Sequence, residues 1–217
     1  MLESIRKMWR IPDLRNKILY TLGMLLLFRL VGVIPAPGVD AAKVLSSKAS
    51  DLPLLQLVNV MTGSNFANMT IMAMGITPYI NASIIMQLLT IAIPALERMQ
   101  KDEEGGREKI ARITRYVTVG LAAVQAIGLV ASMGFIKSGW YNYALVGISM
   151  AGGSALAMWI GERITEKGVG NGISMLIMAG ILSNLFNGIV SGFTNASANG
   201  TSSGWLNLLV IAVMFLI

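Results

Sequence analysis

The sequence predicts an all-α polytopic membrane protein. Three observations carry this: 54% of its 217 residues are hydrophobic, only 13% are charged, and the apolar residues fall in long runs separated by basic stretches. A soluble domain carries about 25% charged residues. Runs of about 20 apolar residues instead match the hydrocarbon thickness of a bilayer. The mean hydropathy of +0.66 points the same way.

Residues 1–17 form a basic, partly apolar segment. Ile5, Met8 and Trp9 fall at helical spacing, with Arg6, Lys7 and Arg10 between them. That pattern suits a helix lying on an anionic membrane surface. A signal-peptide start is the alternative, but no small-x-small cleavage site clearly follows. Residues 18–193 hold five spans. The first covers 18–34 and is stopped by Pro35-Ala36-Pro37-Gly38. A second apolar region begins at Leu54, Leu55, Leu57 and Val58, is broken by Met61, Gly63, Ser64 and Asn65, and resumes over 69–94. The first piece is too short to cross a bilayer and too apolar for a surface loop. It reads as a re-entrant segment held in a cavity. A charged loop over 97–115 leads to spans at 116–136, 143–160 and 173–190. Gly168-Val169-Gly170-Asn171-Gly172 reads as a tight turn that starts the last of these, since a phosphate loop would need a following Lys-Ser/Thr. Residues 194–217 comprise a polar external loop, Trp205 as an interfacial anchor, and a sixth apolar run. That run is about twelve residues long, against the twenty or so needed to cross, which implies that the span continues beyond Ile217.

Basic residues set the orientation. Arg6, Lys7, Arg10, Arg15 and Lys17 precede the first span; Arg98, Lys101, Arg107, Lys109, Arg112 and Arg115 follow the second; Arg163 and Lys167 follow the fourth. The opposite loops carry only Lys43, Lys48 and Lys137. Lysine and arginine are retained on the cytoplasmic side, so the N-terminus is expected in the cytoplasm. The net charge of +6 has the same origin and is no signal for nucleic acid.

The residue inventory excludes much chemistry. There is no cysteine and no histidine. Disulfides, thiol chemistry, histidine-ligated metals and histidine bases are therefore excluded. No catalytic constellation, cofactor motif or metal motif appears. Arg29 is the one ionisable residue within the five spans, and no Asp or Glu accompanies it. An ion-coupled transporter would call for intramembrane carboxylates or broken-helix ion sites. With the outer interface little more than a turn away, Arg29 reads as a snorkelling side chain in preference to a charge in a pathway. Gly147, Gly152, Gly153 and Ala157 suggest close packing of helices.

The most informative local run is 74–83, Met-Gly-Ile-Thr-Pro-Tyr-Ile-Asn-Ala-Ser. Pro78 removes a backbone donor and can kink the helix. Asn81, Ser83 and Gln87 form a polar stripe, and Ile76 and Ile80 share one face. Residue chemistry alone says that one face of a kinked helix meets a neighbour or a cavity.

The run from Thr70 through Gly75, Ile76, Pro78, Tyr79, Ile80, Ala82, Ser83 and Gln87 resembles the second-helix signature of the SecY family of protein-conducting channels. A second stretch, Trp159-Ile-Gly-Glu162-Arg-Ile-Thr-Glu-Lys-Gly168-Val-Gly-Asn171-Gly172-Ile173-Ser174, is similar to another SecY signature, as is the 97–115 loop with Gly105-Gly106-Arg107 and Thr114-Arg115-Tyr116. Asn81 and Met86 stand where the family often has Ser and Ile. The resemblance implies one half of an inverted-repeat channel: five helices, the start of a sixth, and a re-entrant plug over about 54–65 that includes Leu54, Leu55, Leu57, Val58, Met61, Gly63, Ser64 and Asn65. It aligns Ile76, Ile80, Ile173 and Ile177 with pore-ring positions. It places Pro78, Asn81, Ser83 and Gln87 on a lateral-gate helix. Implied partners are the SecE and SecG subunits, the SecA ATPase, the ribosome, secretory and membrane precursor polypeptides, the lipid bilayer and a missing second half. The implied location is the bacterial plasma membrane. A small-solute transporter and a non-conducting membrane scaffold are the rival readings. The first would call for paired intramembrane charges or a polar midplane cleft.

Overall fold

Proline opens the first helix. Helix α1 (Pro12–Val31) has Pro12 at its start and Asp13 in its first turn, both suited to a helix N-terminus. The structure, a computed structural model, describes residues 12–40, 59–101, 105–132, 134 and 139–199. Residues 12–17, expected in a separate surface segment, belong to α1. The sequence expectations at Leu54, Leu55, Leu57 and Val58, and at the sixth apolar run, lie outside the described residues.

After α1 the chain forms an isolated antiparallel bridge between Pro35 and Thr70. Ala36 N donates to Met69 O and Ile71 N to Ile34 O, each at 3.0 Å. Residues 59–62 are helical, and 63–76 run as turns. The break expected at Gly63 and Ser64 takes a definite form: both are left-handed, at φ 68 and φ 70.

Helix α2 (Thr77–Ala92) starts eight residues later than the apolar run, at Thr77 and not at Met69. Pro78 therefore sits in its first turn, where the missing N–H has no helical partner to lose. The kink expected at Pro78 is not there. The bend comes at Ile93, held extended at φ −108 and ψ 111 before Pro94. Helix α3 (Pro94–Lys101) leaves α2 at 101°.

Helix α4 (Gly106–Ser132) starts ten residues before the apolar stretch that marks it in the sequence. Arg, Glu, Lys, Ile and Ala in 106–115 are mostly good helix formers, and hydropathy does not register them. Helix α5 (Trp140–Lys167) and helix α6 (Gly172–Asn199) also outrun their apolar cores. Residues 195–199 are thus helical, where the sequence suggested a loop. Between α5 and α6, Asn171 Oδ1 accepts from Ile173 N at 3.0 Å and Ser174 N at 3.4 Å, the capping that the turn motif predicted.

Helix α5 is central and packs on α1, α2, α4 and α6. Its buried face includes Gly147, Ala151, Gly153, Ser154, Ala157 and Gly161, while Ile148, Leu156 and Trp159 point outward. Small residues let backbones approach. A Cβ on Gly147 would lie 2.7 Å from Ile127 Cδ1, and one on Gly153 would run into the Ile71 carbonyl oxygen. Gly152 differs from the sequence expectation. It is exposed, with nothing within 4 Å of where its Cβ would be, because it faces away from the neighbours that Gly153 meets. Arg115 of α4 pairs with Glu162 of α5 at 2.8 Å.

Large apolar side chains line the outside. Leu19, Leu22, Leu26 and Leu30 form an exposed stripe on α1, and Ile84, Leu88 and Ile91 another on α2. By length and composition, one helix among the described residues, Trp140–Lys167, is able to cross a membrane alone; counting the bent α2–α3 pair gives two. In α1 the charges are the reason: its last 18 residues contain Arg15, Lys17 and Arg29.

Candidate functional site

Four elements separated in sequence meet at a small concavity. Its lining is Phe28 from α1, Met61 and Thr62 from the 59–62 turn, Gly75, Ile76, Thr77 and Ile80 around the start of α2, and Leu176 and Ile177 from α6. Its volume is about 10 Å³, room for roughly one water. Apart from Thr62 and Thr77, the side chains are apolar.

Local structure explains how the isoleucines arrive. Ile76 is the N-cap residue of α2, and Ile80 N donates to Ile76 O at 3.1 Å, so the two stack one turn apart. Asn171 fixes the start of α6. Gly172 allows α6 to begin against α5, since a Cβ there would run into the Gly161 carbonyl oxygen. That close approach presents Leu176 and Ile177 to Ile76 and Ile80. Of the four isoleucines singled out in the sequence, Ile76, Ile80 and Ile177 line the concavity. Ile173 packs one turn lower, against the cluster of Phe28, Met72, Ile76, Ala157, Ile160, Ile164 and Leu176.

The residues beside the isoleucines are held by a polar frame. Arg29 Nη1 donates to Gly63 O at 3.1 Å, and Nη2 donates to Ala179 O at 2.7 Å. The expected snorkelling is thus corrected: the guanidinium turns inward, because two backbone carbonyls offer it better partners than the interface. Asn184 Nδ2 donates to Asn59 O at 3.1 Å and Val60 O at 2.9 Å, and Ser64 Oγ donates to Asn184 Oδ1. Asn65 is buried, and its carbonyl accepts from Thr70 N and Thr70 Oγ1. Sequence reading passed over Asn184, Phe28 and Leu176. For Asn184 a signal existed: it is an amide in an apolar span, and such groups turn toward protein.

A second cleft of about 220 Å³ opens between α2, α3 and α4. It is lined by Tyr79, Ser83, Met86, Gln87, Thr90, Gln100, Ile110, Ala111 and Thr114. The polar stripe expected on α2 therefore divides. Ser83 and Gln87, four apart, share this cleft, whereas Asn81 lies outside its lining and Pro78 is buried in the first turn. Among the described residues no three of His, Cys, Asp and Glu converge as metal ligands would.

Comparison with known proteins fits this frame. Residues 70–217 match the SecY family. The protein translocase subunit SecY of Pyrenomonas salina is 43% identical over 187 residues, covering 85% of this chain and 45% of that protein. That of Bacillus subtilis is 42% identical over 195 residues, covering 85% and 44%. The chain thus spans about half the length of these curated relatives. Among solved structures, Sec61 in the canine ribosome-channel complex from the endoplasmic reticulum superposes with a TM-score of 0.63 at 25% identity, over 86% of this chain and 42% of that one. A protein-conducting channel superposes with the same TM-score at 23% identity, over the same shares, and supports the fold. The chain belongs to the SecY family.

Proposed function

We propose that this chain is the first half of a protein-conducting channel. In this reading it passes secretory polypeptides across the bacterial plasma membrane and releases membrane segments sideways into it. The observation that carries the reading is the convergence of Ile76, Ile80 and Ile177 on one uncharged concavity roofed by Met61 and Thr62. A channel for many different peptides needs a constriction that seals by excluding water and yields to any side chain. Branched apolar residues from two separate helices do this without a fixed binding site. Ile173 completes the proposed ring from below. The stretch over 54–65 acts as the plug, and α2, with Pro78, Asn81, Ser83 and Gln87, forms one wall of the lateral gate. The second half, SecE and SecG complete the channel, and SecA or the ribosome supplies the drive. The test is reconstitution of the complete chain with those subunits in vesicles. A secretory precursor is expected to become protease-protected in a SecA- and ATP-dependent way, and failure in an assembled complex would sink the reading.

The topology that goes with this function is five crossings with a cytoplasmic N-terminus. The outward stripes of Leu and Ile on α1 and α2 support contact with lipid, and the lysine–arginine asymmetry supports the direction. The sequence contains no cysteine, so introduced ones are unique within it. Glu108, at the start of α4, and Tyr141, at the start of α5, are both exposed. On spheroplasts an impermeant thiol reagent is expected to label Tyr141→Cys readily and Glu108→Cys only after permeabilisation. The reverse pattern would invert the orientation.

A further inference from the structure

The polar frame beside the concavity has a direction. Its donors belong to the long helices α1 and α6, and most of its acceptors are backbone carbonyls of the short 59–64 turn. Arg29 reaches Gly63 from 34 residues away, and Asn184 reaches Asn59 and Val60 across 125 and 124. Ser64 returns a bond to Asn184. We infer that Arg29 and Asn184 form a latch that holds the 59–64 turn over the isoleucine-lined concavity, and that release of this latch is the step that admits water to it. The inference rests on the channel reading above and adds the residues that regulate it.

Several observations make this more than packing. Arg29 forms no ion pair among the described residues, whose pairs are Lys101–Glu97, Arg115–Glu162 and Arg163–Glu166. Its charge is satisfied through Gly63 O and Ala179 O, and charge-assisted bonds are about twice as strong as neutral ones. The turn and α6 are fitted for the contact. A Cβ on Gly63 would lie 2.5 to 2.9 Å from the guanidinium, and one on Gly180 would run into Met61 O. Ser64 is held at φ 70, a left-handed conformation that a non-glycine residue keeps only when its surroundings impose it. Met61 and Thr62, inside the latched turn, are themselves part of the concavity lining. If the turn lifts, Arg29 loses one of its two acceptors, and water is the natural replacement. Lifting and wetting are therefore coupled, and the same charge that closes the site when dry stabilises water once it opens.

The test uses the complete channel with its partner subunits. Thr62, 4% exposed, is the reporter position, and Thr62→Cys is introduced in every background. Arg29→Met keeps the apolar stem and removes the donors; Asn184→Leu keeps the bulk and removes the amide. Each is expected to raise the rate at which an aqueous thiol reagent labels the reporter, and the resting ion conductance, on the order of tenfold or more. Losing one hydrogen bond to a charged or buried group already gives such a shift; Arg29→Met removes one bond to the turn, and Asn184→Leu removes its two to Asn59 O and Val60 O and the one it accepts from Ser64. Arg29→Lys, a point charge able to serve one carbonyl at a time, is expected to fall between Met and the native residue. A purely structural role would lower the thermal midpoint and leave this ordering absent. Should Arg29→Met not assemble, Asn184→Leu and Arg29→Lys carry the test. Equal labelling and equal leak in the native and all assembled variants would overturn the latch. Precursor transport by the native channel, measured in the same vesicles, separates that outcome from failure of the channel reading itself.

Discussion

Replacing Ile80 or Ile177 with Asn in the complete channel is expected to raise resting ion conductance by between about fivefold and a hundredfold. Both side chains line the concavity beside Ile76, Leu176 and Phe28, where there is room for roughly one water. In the proposed channel such a site stays closed to ions because water gains few hydrogen bonds by entering. An asparagine amide has nearly the bulk of isoleucine but both donates and accepts. Left unpaired in a dry site, it costs on the order of 1–3 kcal/mol, which entering water recovers. At 1.4 kcal/mol per factor of ten, that range gives the stated change in the hydrated population. Ile84→Asn is the control. It lies one turn beyond Ile80 on α2, outside the lining of the concavity and 51% exposed on the outer face, so its amide brings no water into the closed site. Ile71 would be a poor control, because its N–H bonds Ile34 O and its carbonyl lies against Gly153. Planar-bilayer conductance of the three variants decides the matter. Equal leak from Ile84→Asn, or none from Ile80→Asn and Ile177→Asn, would remove the reason to single out these positions.

One added methyl group is expected to act with opposite sign at two adjacent glycines of α5. Gly152→Ala places its Cβ in open space on an exposed face, and alanine is the better helix former by about 0.8–1.0 kcal/mol in water. It should hold or slightly raise the thermal midpoint. Gly153→Ala drives its Cβ into the Ile71 carbonyl oxygen, a backbone atom that no rotamer change moves. The 69–76 turns then have to shift, and with them the bridge between Pro35 and Thr70. Overpacking of this kind costs about 1–3 kcal/mol, occasionally more. Thermal unfolding of the detergent-solubilised complex, followed by light scattering or tryptophan emission, measures both. Losses of similar size at the two positions would contradict this placement of α5.

Part of the site was legible in residue order because its cues are local. Asn171 followed by Gly172 announces a helix start, and the structure uses Asn171 as its cap. Ile76 and Ile80 share a face by helical spacing alone. The resemblance of 70–89 and 159–174 to SecY signatures carried the family. What residue order misjudged were environments. Arg29 looked like a snorkelling side chain because the sequence reveals the distance to the interface but not the carbonyls of Gly63 and Ala179, which lie 34 and 150 residues away. Pro78 looked like a kink because nothing local fixes where α2 begins; the turns over 69–76, tied back to residues 34–36, decide that.

Residue order alone establishes a helical membrane protein, its helix-rich order and the direction of its charge bias. These follow from composition and period, which any folded arrangement of the chain must respect. Which glycine is an interface, which isoleucines meet, and which carbonyls hold Arg29 emerge only in the packed fold. Those outcomes depend on the approach of α1, α2, α5 and α6 to within a few ångströms of one another. Close approach is a property of pairs of elements, set by small residues such as Gly153, Gly172 and Gly180 that meet the backbone of Ile71, Gly161 and Met61.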